Sequence, residues 1–187
     1  MVVDQDYILA NTERVIKRIK KGEIFIYPTD TIYGIGCNAL LGDSVRRIRH
    51  LKQREIKPFS IIAPNMAWIK NNCEINDKGQ KHLKKLPGPY TLFLRLKNLS
   101  ILPEEVNPLA DGTVGVRMPN HWFMDIVRMA GVPFITTSVN LSGMPYMTDL
   151  ESLDETIKNN VDLIIYEGEI RGKESEKIDL THKYMRV

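Results

Sequence analysis

The chain has 187 residues, 43% of them hydrophobic, and a formal net charge of +3. A length near one domain lets enough surface be buried that neither disulfides nor a structural metal is needed, which excludes a disulfide scaffold and a metal-dependent minidomain. No run approaches the roughly 20 apolar residues that cross a bilayer, and the acidic N-terminal stretch lacks the apolar core of a signal peptide, so a soluble cytoplasmic protein with no membrane partner is expected.

In chain order, an amphipathic helix is predicted over 7–20, where Ile8, Leu9, Val15, Ile16 and Ile19 recur at helical spacing and Gly22 ends it. A strand follows over 23–27. It breaks into Pro28, Thr29, Asp30, Thr31, Tyr33, Gly34 and Gly36, more polar chemistry than a turn requires. Asp43 is a candidate cap for a helix through Leu51, 59–63 reads as a second strand, and 66–71 starts a short helix. Alternation predicts strands over 91–96 and 113–118. A helix over 122–130, a buried strand over 133–137, a helix over 150–159 and a strand over 161–166 complete the series. With no repeat or linker to divide it, the chain reads as a single domain over 1–187. Strands interleaved with helices predict an α/β (α+β) layer fold whose loops gather at one side.

The chemistry is concentrated in those loops. Gly34 to Ala39 matches G-x-G-x-x-G/A on paper, but six residues including Pro28 separate it from its strand and no helix opens directly after it, so a dinucleotide fingerprint is rejected. The spacing GxxxxGK[ST] is absent. Arg46, Arg47, Arg49, Lys52, Arg54 and Lys57 form a basic cluster. For Arg46, Arg47 and Arg49 the plainer account is a solvated helix face. Lys52 and Arg54 fall where the helix ends, before Pro58, and combine a point charge with a planar fork suited to a polyphosphate. The run 136–143 (TTSVNLSG) fits an ordinary turn. It also supplies neutral ligands for phosphate oxygens, or for Mg²⁺ through Asn140. Arg117 closes a strand before Pro119 and suits either a surface ion pair or a bidentate clamp on a carboxylate. Cys37 and Cys73 form no CxxC and read as packed thiols. His50, His82, His121 and His182 have no metal-binding spacing, and Met118, Met124 and Met129 read as core fillers.

PTDTIYG, the Lys52-Gln53-Arg54 triplet with Lys57-Pro58-Phe59, PGPYTLFL, TVGVRMP and Ser138 to Gly143 together resemble the YrdC family in order and spacing, over nearly the whole chain. The resemblance implies a YrdC-like twisted mixed sheet with flanking helices around a deep basic cavity. It implies an L-threonylcarbamoyladenylate synthase, which combines L-threonine, bicarbonate and ATP, releases pyrophosphate and feeds threonylcarbamoyladenosine modification of tRNA. By matching position, Lys52, Arg54, Thr113, Ser138, Asn140 and Arg186 would contact ATP, with Lys52 and Arg54 as the catalytic pair. Thr31, Arg117, Thr136 and Ser175 would contact threonine. Mg²⁺ would accompany the ATP phosphates, and tRNA with a downstream threonylcarbamoyl-transfer complex would be partners. The alternative is a catalytically weak YrdC-like paralogue binding RNA through the basic cavity. A nucleophile that is already a carboxylate needs positioning and charge neutralisation more than a strong base, which fits a site without an obvious His or Cys.

Overall fold

The computed structural model describes residues 1–181. Strand β1 (Val2–Val3) leads into α1 (Gln5–Ala10) and α2 (Thr12–Lys20). The single helix predicted over 7–20 is therefore two. At the break, Asn11 Nδ2 donates to the Tyr7 carbonyl at 2.9 Å and Thr12 Oγ1 to that of Leu9 at 3.0 Å, side-chain bonds that compete with the helical ladder. Gly22, at φ 84°, supplies the left-handed turn that ends α2.

The chain continues through β2 (Phe25–Tyr27), β3 (Gly34–Gly36), α3 (Gly42–Leu51), β4 (Ser60–Ile62), α4 (Met66–Asn72) and β5 (Cys73–Glu74). Then come α5 (Asp77–Leu83), β6 (Tyr90–Leu96), a 3₁₀ turn, β7 (Thr113–Arg117), α6 (Phe123–Ala130), β8 (Phe134–Ser138), α7 (Glu155–Asn160), β9 (Leu163–Ile165) and β10 (Glu176–Asp179). Asp43 lies inside the first turn of α3, whose N-cap is Leu41. The helix predicted over 150–159 shrinks to α7. Asp149 and Ser152 bond each other's backbone (Ser152 N to Asp149 Oδ1, 2.7 Å), and Asp154 caps α7.

Among the described residues one ten-stranded sheet runs in the order β1-β9-β2-β3-β8-β4-β7-β6-β10, with β5 pairing β6. It is mixed: β1, β9 and β2 are mutually parallel, β3 and β8 run antiparallel to their neighbours, and β4 is parallel to β7. The two-residue period of a strand sends Phe25 and Tyr27 to one face and Ile24 and Ile26 to the other. On the first face α1, α2 and α6 contribute Ile8, Val15, Ile19, Phe123, Ile126 and Val127. Tyr27 stacks on Phe123 at 4.6 Å between ring centres and meets Phe134 edge-on at 5.5 Å. Each such fully buried ring contributes roughly 1.5–3 kcal/mol. The other face carries α3 and α7 over part of its width. Glycines 34 and 36 belong to the sheet. A β carbon at Gly36 would lie 1.8 Å from the Ile135 carbonyl oxygen, and one at Gly34 would lie 2.9 Å from the Tyr27 ring, so both allow close strand packing. The polar stretch 28–33 is the loop of the β2–β3 hairpin.

Candidate active site

The cavity stands on β3, β8, β4, β7 and β6, with β10 at its edge, and is open to solvent on one side. Its floor exists because small or hydroxylated residues meet in register. Gly34 pairs with Ser138, and Ser60 pairs with Thr136 on one side and Gly115 on the other. A β carbon on Gly115 would come within 2.4 Å of Ser60 Oγ and 3.2 Å of Thr91 Cγ2. A larger side chain in this patch would fill the hollow.

One wall is basic. Lys52, at the C-terminus of α3, is only 1% exposed. Its ammonium donates to the Ser138 carbonyl, to the Asn140 carbonyl at 2.7 Å and to Asn140 Oδ1 at 2.9 Å, while the Lys52 carbonyl accepts from Ser142 N at 2.9 Å. The two loops are thus clasped in both directions. Burial, reinforced by Arg54 and opposed by Glu174, pushes Lys52 from 10.5 down to about 7. Arg54 donates from Nη1 to Thr137 Oγ1 at 3.2 Å and from Nε to the Lys57 carbonyl at 3.2 Å, and its guanidinium lies 4.9 Å from the Phe59 ring centre. Burial lowers its pKa as well, with Glu174 opposing.

The neighbouring arginines separate by role. Arg46 and Arg47 are exposed and pair with Asp43, Glu105 and Asp162. Arg49 corrects the solvated-face expectation. It is 7% exposed and donates to the carbonyls of Arg54, Glu55, Lys57, Glu105 and Val106. A guanidinium with five donors can satisfy a whole loop of carbonyls, and this one shapes the segment that presents Arg54.

The second wall is built around Arg117 at the end of β7, 7% exposed. Nη2 donates to Asp30 Oδ1 at 3.1 Å and Thr31 Oγ1 at 3.0 Å. Thr31 Oγ1 lies 3.0 Å from Thr29 Oγ1, which donates to the Ile32 carbonyl at 2.7 Å. Nε is buried and has no hydrogen-bond partner among the described residues. Burial lowers the Arg117 pKa, and Asp30 is the main opposing charge. An unpartnered guanidinium donor beside a cavity is costly unless an oxygen arrives there.

A strap over 167–175 crosses the mouth. Tyr33 Oη donates to the Gly168 carbonyl at 2.6 Å, and Tyr146 Oη donates to that of Gly172 at 3.0 Å. Gly172 presses on the hairpin loop so closely that a β carbon would stand 1.6 Å from the Thr31 carbonyl oxygen. Beyond it, Glu174, Ser175 and Lys177 line the cavity, with Ser175 Oγ 2.6 Å from Thr91 Oγ1.

Of the residues singled out in the sequence, Arg54, Arg117, Thr136, Ser138 and Ser175 line one hollow, while Thr31, Lys52 and Asn140 stand behind it, Thr31 bonded to Arg117 and Lys52 to the Ser138–Asn140 loop. Thr113 departs from the expectation. It begins β7 while Arg117 ends it, a separation of roughly 13 Å at strand rise, and it borders a separate, mainly apolar depression with Leu99 and Leu102. Its hydroxyl donates to Asp111 Oδ1 at 2.7 Å. Arg186 and His182 lie outside the described residues. Asn140 Oδ1, the candidate magnesium contact, accepts from Lys52 and, at 2.7 Å, from Ser138 Oγ. Among the described residues no group of three His, Cys, Asp or Glu gathers that could hold a metal. This donor set fits a magnesium ion carried on phosphate oxygens rather than one caged by side chains. The sequence reading missed Asp30, Ser60, Thr91, Glu174 and Lys177 as wall residues. Only Asp30 carried a signal, as an acid inside an over-polar hairpin loop.

A hollow lined by Arg54 and Arg117 over a floor of hydroxyls is the kind of site that suits anionic groups. The Sua5/YciO/YrdC family model, described as "telomere recombination", matches residues 17–187. A Methanocaldococcus jannaschii protein is 35% identical over 158 residues, covering 83% of this chain and 72% of its own. The threonylcarbamoyl-AMP synthase of Photobacterium profundum is 28% identical, covering 89% of this chain and 91% of its own. The crystal structure of P. abyssi Sua5 complexed with L-threonine is 28% identical with a TM-score of 0.84, covering 98% of this chain. This chain spans only 55% of that protein. The chain belongs to the Sua5/YciO/YrdC family. Among the described residues no helix is long and apolar enough to cross a membrane.

Proposed function

We propose that this protein is an L-threonylcarbamoyladenylate synthase, a nucleotidyltransferase that makes threonylcarbamoyl-AMP and pyrophosphate from L-threonine, bicarbonate and ATP. The observation that carries the reading is the presence of two arginines in one cavity: Arg117 with its unpartnered buried Nε, and Arg54 beside the Ser138 loop that Lys52 braces from behind. Relatives named threonylcarbamoyl-AMP synthase and the threonine-bound Sua5 structure support it.

In this reading Arg117, Thr31, Thr136 and Ser175 hold threonine, with the guanidinium on its carboxylate. Lys52, Arg54, Ser138 and Asn140 set the phosphate side, Lys52 both as a charge and as the clasp on the Ser138–Asn140 loop. Magnesium carried on the phosphates would supply charge neutralisation there, beside the positive charge that Arg54 and Lys52 provide. The threonine amine and bicarbonate condense to a carbamate, with a C–O bond of bicarbonate broken and water released, and a carbamate oxygen attacks the α-phosphorus as the bond to the bridging β-phosphate oxygen breaks and pyrophosphate leaves. No strong base is required at that step. The chain's contribution is alignment and fixed positive charge. The product is an activated acyl group destined for tRNA through a downstream threonylcarbamoyl-transfer complex.

Pyrophosphate release with ATP and Mg²⁺ tests this. It should require both threonine and bicarbonate and fall roughly 10- to 100-fold in Arg54→Ala, the value of one lost charge-assisted contact. Release indifferent to threonine in a folded protein refutes the reading and leaves RNA binding through the basic cavity, which would weaken steeply with salt.

A further inference from the structure

Asp30 is absent from the ligand-contacting set, yet it is tied into the carboxylate-binding wall at two points. Its Oδ1 accepts from Arg117 Nη2 at 3.1 Å and its Oδ2 accepts from the Asn120 backbone N–H at 2.9 Å. Asp30 lies in the β2–β3 hairpin loop, while Arg117 and Asn120 flank the turn that leaves β7. One buried carboxylate, its side chain 12% exposed, therefore joins the loop, the arginine head and the backbone just beyond it.

The consequence is orientational. Nη2 is spent on Asp30 and Thr31, which fixes the guanidinium plane, while Nε stays buried without a partner among the described residues. A guanidinium held by one corner offers its remaining donors in a fixed direction, the condition for two-point recognition of a carboxylate. Asp30 also opposes an arriving anion by simple charge repulsion, so its two effects on substrate have opposite signs and can be told apart.

We propose that Asp30 is a positioning residue that aims Arg117 at the carboxylate of the amino-acid substrate, a role that rests on the synthase reading above. Orientation outweighs repulsion because the pair is desolvated and the arginine would otherwise lose its only carboxylate partner among the described residues.

The test is Asp30→Asn and Asp30→Glu in the full chain, with KM for threonine and for ATP, kcat, melting temperature and threonine affinity by calorimetry. In Asp30→Asn the amide cannot accept at both Arg117 and Asn120. Threonine KM and Kd should rise at least about tenfold, with ATP KM within about twofold and melting temperature without ligand nearly unchanged. Asp30→Glu should recover part of the threonine affinity and serves as the measured variant if Asp30→Asn does not fold. Unchanged or tighter threonine binding overturns the proposal, because repulsion would then be the larger effect. A joint rise of both KM values with a large drop in melting temperature also overturns it, since Asp30 would then be a general prop of the fold. Wild-type protein that neither binds threonine nor uses it refutes the synthase reading itself, an outcome read before any variant is made.

Discussion

Lys52 allows a prediction in which the count of protons is fixed by the site. Its ammonium has three carbonyl acceptors, which favour the charge, and deep burial beside Arg54, which disfavours it, and the balance lies at about 7. At pH 8 a group titrating at 7 is about one-tenth protonated. A bound triphosphate brings several negative charges to this wall and should restore the ammonium, so Mg·ATP binding at pH 8 should take up about 0.9 proton per site, against about 0.1 at pH 6. Isothermal calorimetry in buffers of differing ionisation enthalpy gives this number as the slope of observed heat against buffer heat. Lys52→Met, which keeps the stem and removes the titrating group, should abolish the pH 8 uptake. A slope near zero at pH 8, or the same slope in Lys52→Met, refutes the placement of phosphate beside Lys52.

The same residue predicts a pH-dependent stability. Because the folded value is depressed below 10.5, the unfolded chain holds the extra proton between about 7 and 10.5, so stability rises with pH across that window and is lost as pH falls toward 7. The slope approaches about 1.4 kcal/mol per pH step, or about 2–4 °C of melting temperature per kcal/mol at this size. The melting curve of wild type should therefore gain several degrees on that of Lys52→Met between pH 7 and 9, and parallel curves would refute the shift. Gly172→Ala places a β carbon 1.6 Å from the Thr31 carbonyl oxygen. Threonine affinity should fall at least about tenfold as the strap lifts. A folded variant with normal threonine affinity by calorimetry would show that the strap does not shape that pocket.

The legible parts of the sequence were those where one physical signal acted alone. Apolar periodicity placed most of the predicted strands and helices within a residue or two, and the position of Lys52 and Arg54 at a helix end before proline was legible from the letters. Other features needed the third dimension. Arg46, Arg47 and Arg49 are indistinguishable as letters, yet Arg49 turns inward because five loop carbonyls surround it. The glycines at 34 and 36 read as loop residues, and only the closeness of Ile135 and Tyr27 explains them as strand. Thr91 and Ser60 look like ordinary strand hydroxyls until β6, β7 and β4 are set side by side. Strand β10 carries only one apolar residue among its four, so it gave no pattern.

The sheet order also governs when the cavity can work during synthesis. Most of its floor and both charged walls come from residues 29–140, but Glu174, Ser175 and Lys177 arrive with β10, which lines up beside β6 from Tyr90 onward. At the opposite edge, Val2 waits for Ile164 to pair. At roughly 5–20 residues synthesised per second, the last side of the basin is made several seconds after the rest. The side of the basin nearest β10 is thus the last part of it to be made.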